Sequence, residues 1–191
     1  NMTEYFTALC KRINKNDNVK WMDVVNETVN RDGTWFSEKS GVDSWENPWV
    51  QIGMDSNEVP LYITKAFEIA KKHAQDKSLV FNQHGGMEPR MWERVKKTIL
   101  YLKSKGYRVD GLGWQAHFKS TDKVALNKKD MRYFSELIDW AHANDLDFHV
   151  TEIDYKIWNG KKTKKALDAQ AAAYANVLKI LLSKRTTGVV T

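Results

Sequence analysis

The chain has 191 residues, with 30 Lys and Arg against 24 Asp and Glu for a formal net charge of +6, and it carries 8 Trp, 7 Tyr, 7 Phe, 3 Pro and a single Cys. That length suits one ordinary domain with a sizeable core; no stretch is long and apolar enough to cross a membrane, and a lone cysteine cannot close an intrachain disulfide. The positive charge is spread over helical faces at Lys71-Lys72, Lys96-Lys97, Lys128-Lys129, Lys161-Lys162 and Lys164-Lys165, and no nucleic-acid-binding motif accompanies it, so neither a nucleic-acid nor a membrane partner is expected.

The opening residues, Asn1 to Tyr5, are neither a signal peptide nor a basic arm; an export signal, for an exported protein, is expected outside these residues. Thr3 to Asn14 reads as an amphipathic helix, with Tyr5, Phe6, Leu9 and Ile13 at helical spacing. Val19 to Asn26 reads as a buried strand. Arg31 to Val59 reads as a long loop that contains Trp35, Trp45 and Trp49. Pro60 sits where proline favours a first helical turn, and the helix runs to about Gln75. A short strand, Ser78 to Asn82, leads into a turn at Gln83-His84-Gly85-Gly86 and a long helix from Glu88 to Ser104, stopped by Gly106. Val109 to Gln115 is a glycine-rich strand, Asn127 to Asn144 a helix, Asp147 to Ile153 a strand and Lys164 to Ser183 an alanine-rich helix. Gly188 to Thr191 looks like the start of one more strand.

Strand and helix in alternation imply parallel βαβ units with right-handed crossovers. An open doubly wound sheet and a closed (β/α)8 barrel both fit. No Gly-x-Gly-x-x-Gly or P-loop follows any strand, which counts against nucleotide binding. Polar residues recur where strands end: Asn26 and Glu27, Asn82, Gln115 and His117, Glu152 and Asp154. In a barrel those ends converge on the face that carries the active site, so the barrel is favoured.

Glu27 and Glu152 each close an apolar, β-prone run, where a carboxylate is costly without a partner or a task. On one barrel they can serve as the paired carboxylates of a glycosidase; a retaining enzyme needs them about 5–5.5 Å apart and an inverting one needs a wider gap. The plain alternative for either is a salt bridge to a neighbouring Lys or Arg. Asn26 can hydrogen-bond a sugar hydroxyl beside the reacting carbon, or simply cap its strand. Gln115 and His117 alternate on one strand, so both point to the same side, and a histidine there can orient a nucleophilic carboxylate. Asp154 can tune the same network. A metal site from His117, His149, Glu152 and Asp154 is disfavoured: no His-x-x-x-His or Cys-x-x-Cys pair exists, and His149 and Glu152 fall on opposite faces of a strand. A serine hydrolase is disfavoured too, since no Gly-x-Ser-x-Gly elbow exists. The loop tryptophans suit either stacking on sugar rings or anchoring the loop.

Three motifs carry a family resemblance: Trp21-Met22-Asp23-Val24-Val25-Asn26-Glu27, Gly111-Leu112-Gly113-Trp114-Gln115-Ala116-His117-Phe118, and Val150-Thr151-Glu152-Ile153-Asp154. In that order and spacing, the chain resembles the catalytic domain of glycoside hydrolase family 10, the endo-β-1,4-xylanases; weaker similarity runs through Asn47-Pro48-Trp49 and Ala66-Phe67-Glu68 to Asn82. The resemblance implies a (β/α)8 TIM barrel and a retaining mechanism without cofactor or metal, acting on xylan or a related β-1,4-linked polysaccharide. It implies Glu27 as acid/base at the end of the fourth strand and Glu152 as nucleophile at the end of the seventh. Asn26 would bind the sugar 2-hydroxyl, His117 would contact the nucleophile, Gln115 and Asp154 would lie in the surrounding network, and Asn82 would line the substrate site. It also implies a secreted or periplasmic enzyme.

Two departures stand out. Where the family often has Asn-Asp-Tyr-Asn, the chain has Asn82-Gln83-His84-Gly85 and lacks the aglycone-side tyrosine. Matched to the family, residues 1–191 run from the helix before the fourth strand to the start of the eighth, a single but partial catalytic domain. Five parallel strands cannot close an eight-stranded barrel, so the rest of the barrel is expected from another segment or chain. The alternative to an enzyme is a non-catalytic or incomplete barrel that binds β-1,4-glycans; a binder needs neither glutamate, and both are present.

Overall fold

A computed structural model describes residues 1–37, 47–119 and 127–184, the side chain of Asn159 excepted. The predicted strand at Gly188 to Thr191 and the predicted loop position of Trp45 lie outside the described residues. The chain divides into two compact units, Asn1–Gln83 with Glu88–Asp110, and His84–Met87 with Gly111–Thr191.

In the first unit, α1 (Met2–Asn14) precedes β1 (Trp21–Asn26), a 3₁₀ turn (Pro48–Ile52), α2 (Leu61–His73), β2 (Ser78–Gln83) and α3 (Pro89–Ser104). Asn1 caps α1 by accepting from the Thr3 amide at 3.0 Å. β1 and β2 run parallel, from Trp21 opposite Ser78 to Asn26 opposite Asn82, the pairing a βαβ unit demands. The apolar stripe of α2 (Ile63, Ala66, Phe67, Ala70) is buried, and Phe67 stacks on Phe81 of β2 at 6.2 Å between ring centroids. Each such large side chain contributes about 1.5–3 kcal/mol by leaving water. Proline marks the helix starts with one adjustment: Pro60 is the cap before α2, and Pro89 takes the first-turn position of α3.

The second unit contains β3 (Gly111–Trp114), β4 (His117–Lys119), α4 (Lys128–Ala143), β5 (Asp147–Val150), β6 (Asp154–Lys156), a 3₁₀ turn (Trp158–Gly160) and α5 (Lys164–Leu182). β3 pairs parallel with β5, from Gly111 opposite Asp147 to Trp114 opposite Val150. Its core is aromatic. Phe134 of α4 packs 4.8 Å from Trp114 and 5.6 Å from Phe148, and the Trp114 indole N–H donates to Gly85 O at 2.9 Å. The parallel α/β alternation expected from the sequence is present in both units. The long "loop" from Arg31 to Val59 has local order of its own, with the 3₁₀ turn and isolated bridges pairing Val29 with Trp35 and Met54 with Pro60.

Candidate active site

The end of β1 is shaped by a bulge. Asp23 pairs with Val80 and Val25 with Phe81, so Val24 is the extra residue. One inserted residue shifts the alternation: Asp23 and Asn26, three positions apart, are both exposed, while Val24 and Val25 are both buried. Asn82, fully buried on β2, donates its amide Nδ2 to Asp23 Oδ2 at 3.2 Å and to Asn26 Oδ1 at 3.1 Å. Asn26 and Asn82, both singled out from the sequence, are thus bonded to each other; Asp23 joins them through a bulge that its sequence position does not reveal.

Glu27, half-buried, follows directly, and its backbone is left-handed with φ 54°. A non-glycine residue there costs roughly 1–3 kcal/mol and persists only where surrounding contacts over-determine it. Neighbouring segments supply such contacts. The Glu27 amide donates to Asn82 O at 3.3 Å, and Gln83 Oε1 accepts from the next two amides, Thr28 at 3.1 Å and Val29 at 3.3 Å. Gln83 Nε2 donates back to Val29 O at 2.7 Å. Gln83 is therefore the fully buried last residue of β2 and not the first residue of a turn.

The segment beyond is pinned from its other side. Phe36 donates to Thr28 O at 2.9 Å, and Arg94 of α3 donates from Nε to Gly33 O at 3.1 Å. Gly33 has φ 90°, and a Cβ added there would lie 2.9 Å from Arg90 O, so both conformation and close approach require glycine. Trp35 is buried, donates Nε1–H to Glu58 O at 2.8 Å and lies beneath the Arg94 guanidinium at 5.4 Å. It is an anchor, one of the two roles open from sequence. Trp49 is 38% exposed.

The second group of residues lies where β3 and β5 end. Gln115 and His117 do not alternate on one strand as the sequence suggested. β3 stops at Trp114, Ala116 turns the chain through φ 59°, and His117 starts β4. Gln115 is consequently buried and His117 exposed. The reversal at Ala116 breaks the period of two on which the alternation depends. β4 pairs parallel with β6, placing His117 opposite Asp154. His117 Nδ1 lies 3.0 Å from Asp154 Oδ2 and its Nε2 3.3 Å from Glu152 Oε2.

Glu152 stands two residues past β5, and its side chain is 41% exposed, with His117 at 46% and Asp154 at 61%. The burial cost invoked from the sequence does not apply to a carboxylate this open. Exposed ion pairs of this kind contribute only about 0–1 kcal/mol to stability. A neutral ring donates from one nitrogen, and an imidazolium donates to both carboxylates. His149, on β5, is buried, and that burial holds its pKa below the ordinary histidine value against the opposing charge of Asp147. Among the described residues, no group of three or more His, Cys, Asp or Glu is gathered to hold a metal ion.

Two features escaped the sequence reading. Asp23 carried no signal beyond its place in an apolar run, and Gln83 was hidden because Asn82-Gln83-His84-Gly85 looks like turn chemistry.

The family model described as glycosyl hydrolase family 10 matches residues 1–191. The chain is 31% identical over 182 residues to endo-1,4-beta-xylanase A of Caldicellulosiruptor saccharolyticus, covering 94% of this chain and 49% of that protein. It is 31% identical over 170 residues to endo-1,4-beta-xylanase B of Thermotoga neapolitana, covering 86% and 42%. Among solved structures, xylanase 10B of Thermotoga petrophila RKU-1 in complex with xylobiose superposes with a TM-score of 0.78 at 25% identity, covering 98% of this chain and 51% of that one. Native xylanase 10B of Thermotoga maritima gives the same score and identity, covering 98% and 52%. The chain spans about half the length of these relatives, and its parallel α/β repeat is the corresponding part of a (β/α)8 barrel.

Proposed function

Because the chain belongs to glycosyl hydrolase family 10, we propose that it supplies catalytic residues of a retaining endo-β-1,4-xylanase that cleaves internal bonds of xylan. Glu27 is the acid/base: it protonates the departing sugar oxygen and then takes the proton from the incoming water. Glu152 is the nucleophile: its carboxylate attacks the anomeric carbon, forming a glycosyl-enzyme ester that water hydrolyses with net retention. Asn26, bonded to Asn82, binds the 2-hydroxyl of the sugar under attack, and Gln115 belongs with His117 and Asp154 to the network around the nucleophile. Location outside the cytoplasm, secreted or periplasmic, goes with a polymeric substrate.

The observation that supports this reading most directly is the His117 imidazole set between Glu152 and Asp154 at 3.3 and 3.0 Å. A nucleophile must present one oxygen along a fixed line to the anomeric carbon, and a histidine hydrogen bond to the carboxylate provides that orientation. The relatives' names support the substrate class: they are called endo-1,4-beta-xylanases, and one was solved with xylobiose. A glycan-binding protein without catalysis would have no use for this arrangement.

The test uses the complete catalytic domain that contains these residues. Incubation with a 2-deoxy-2-fluoro xylobioside bearing an activated leaving group should label one residue, and peptide mass spectrometry should place the label on Glu152. NMR of the first-formed product should show the β-anomer. Labelling elsewhere, or an α-anomer, would overturn the assignment.

A further inference from the structure

We propose that Gln83 is a positioning residue for Glu27, holding the acid/base by completing the strand after its backbone has turned away. The inference rests on Glu27 being the acid/base. β1 ends at Asn26, and the left-handed turn at Glu27 (φ 54°) would strand the amides that follow. Thr28 and Val29 are both buried, and buried amides need partners. The main chain of β2 supplies one acceptor, Asn82 O, to the Glu27 amide. The Gln83 side chain supplies the rest: Oε1 accepts from Thr28 and Val29 at 3.1 and 3.3 Å, and Nε2 donates to Val29 O at 2.7 Å.

A primary amide fits this task because it offers an acceptor and donors at one end of a reach the length of a ladder hydrogen bond. It behaves as a detached peptide group, pairing Val29 on both its N–H and its C=O. Gln83 is fully buried, and its Nε2 also lies 3.5 Å from Met91 Sδ, so its own position is set by β2 and α3. The backbone angles at Glu27 set the direction of its Cα–Cβ bond, the base from which the carboxyl is aimed, and β2 bonds the chain at the turn and after it: Asn82 O at the Glu27 amide and Gln83 at Thr28 and Val29. Removing the clamp leaves Glu27 chemically intact and loosens its aim, and general acid catalysis depends on placing the proton within hydrogen-bonding reach of the leaving oxygen.

That separates Gln83 from a residue that merely stabilises the fold. A misaimed general acid hurts substrates whose leaving group must be protonated and spares those that leave unaided. In the complete catalytic domain, kcat/KM is measured for phenyl and 2,4-dinitrophenyl β-xylobiosides, with thermal unfolding followed in parallel. Gln83→Met, which keeps the volume and removes the amide, should lower kcat/KM for the phenyl substrate about ten-fold or more and for the dinitrophenyl substrate less than about three-fold, within the range that general acid catalysis supplies. Gln83→Asn, which keeps the amide and shortens its reach, should give the same imbalance in weaker form and serves if Gln83→Met does not fold. Equal losses on both substrates, or no loss on either, overturn the proposal. Glu27→Ala is the reference: an imbalance there with none in the Gln83 variants sinks the clamp alone, whereas equal losses in Glu27→Ala sink the acid/base assignment and the clamp with it.

Discussion

Glu27 and Glu152 are held by different means. At Glu27 the backbone is what is constrained: a left-handed residue, an amide on Asn82 O, and a buried glutamine clasping the two residues beyond. At Glu152 the side chain is what is constrained, by one exposed imidazole that also touches Asp154. The first arrangement is dry and tied to the core, so its contacts carry stability as well as aim. The second is wet, and its contacts contribute almost nothing to stability. Position near a reacting carbon can thus be fixed from beneath, through the main chain, or from the side, through another side chain. The two leave different signatures when broken.

The largest expected effect comes from the carboxylates themselves. Glu152→Ala should cut kcat on xylan by about 10⁴-fold or more, the scale on which loss of a covalent nucleophile is felt. Glu27→Ala should cost about 10²–10⁴-fold on xylan; with a 2,4-dinitrophenyl β-xylobioside, whose leaving group needs no acid, its turnover should be partly restored by azide, a small anion that needs no general base, and steady-state kinetics with and without azide separate the two. Rescue of Glu152→Ala with a retained anomer would reverse the roles of the two glutamates.

His117→Ala sharpens the contrast. A hydrogen bond to a charged group amounts to about 1.5–3 kcal/mol, or roughly 10- to 100-fold in rate when the bond matters in the transition state. Because His117 and its partners are exposed, the melting temperature should stay within about 2 °C of wild type. A large fall in melting temperature would mean that the second group is structural after all.

Gly33→Ala probes the other side. It adds a Cβ 2.9 Å from Arg90 O at φ 90°, and should destabilise the fold by about 1–3 kcal/mol, read as a lower urea midpoint, with activity lost together with folded protein. A neutral result would mean that the segment behind Glu27 has slack to give.

The smallest effect concerns pH. His149 has its pKa lowered by burial, so the unfolded chain binds a proton more readily than the folded one. The sign follows: this contribution to stability is complete above about pH 6.5, the ordinary histidine value, and is lost as pH falls below it. Urea midpoints measured from pH 7.5 to 5 should decline less in His149→Phe than in wild type. Parallel curves would mean that His149 plays no part in the pH dependence.

Much of this was open to reading along the chain. Helical spacing from Thr3 to Asn14, the helices expected over Glu88 to Ser104 and Asn127 to Asn144, the apolar runs before Glu27 and Glu152, and the three motifs set out the strand–helix order and pointed to both carboxylates, because each rests on residues close in sequence. Strand ends were placed less well. Val109 to Gln115 shrank to Gly111–Trp114, and Asp147 to Ile153 to Asp147–Val150, since a strand ends where its partner stops pairing, and the partner is elsewhere in the chain.

By itself, then, the sequence determined the α/β alternation and the family, and it singled out acids and amides near the strand ends without Gln83, the amide that closes β2. Only the tertiary structure decided how they are held. The bulge that turns Asp23 and Asn26 to one side exists relative to β2. The turn at Ala116 that parts Gln115 from His117 shows itself in a backbone angle, not in a residue type. The clamp on the Glu27 segment joins Gln83 to Thr28 across 55 positions. Periodicity reports which face a residue takes within its own element; a positive φ or a cross-strand hydrogen bond depends on what a distant segment offers in return.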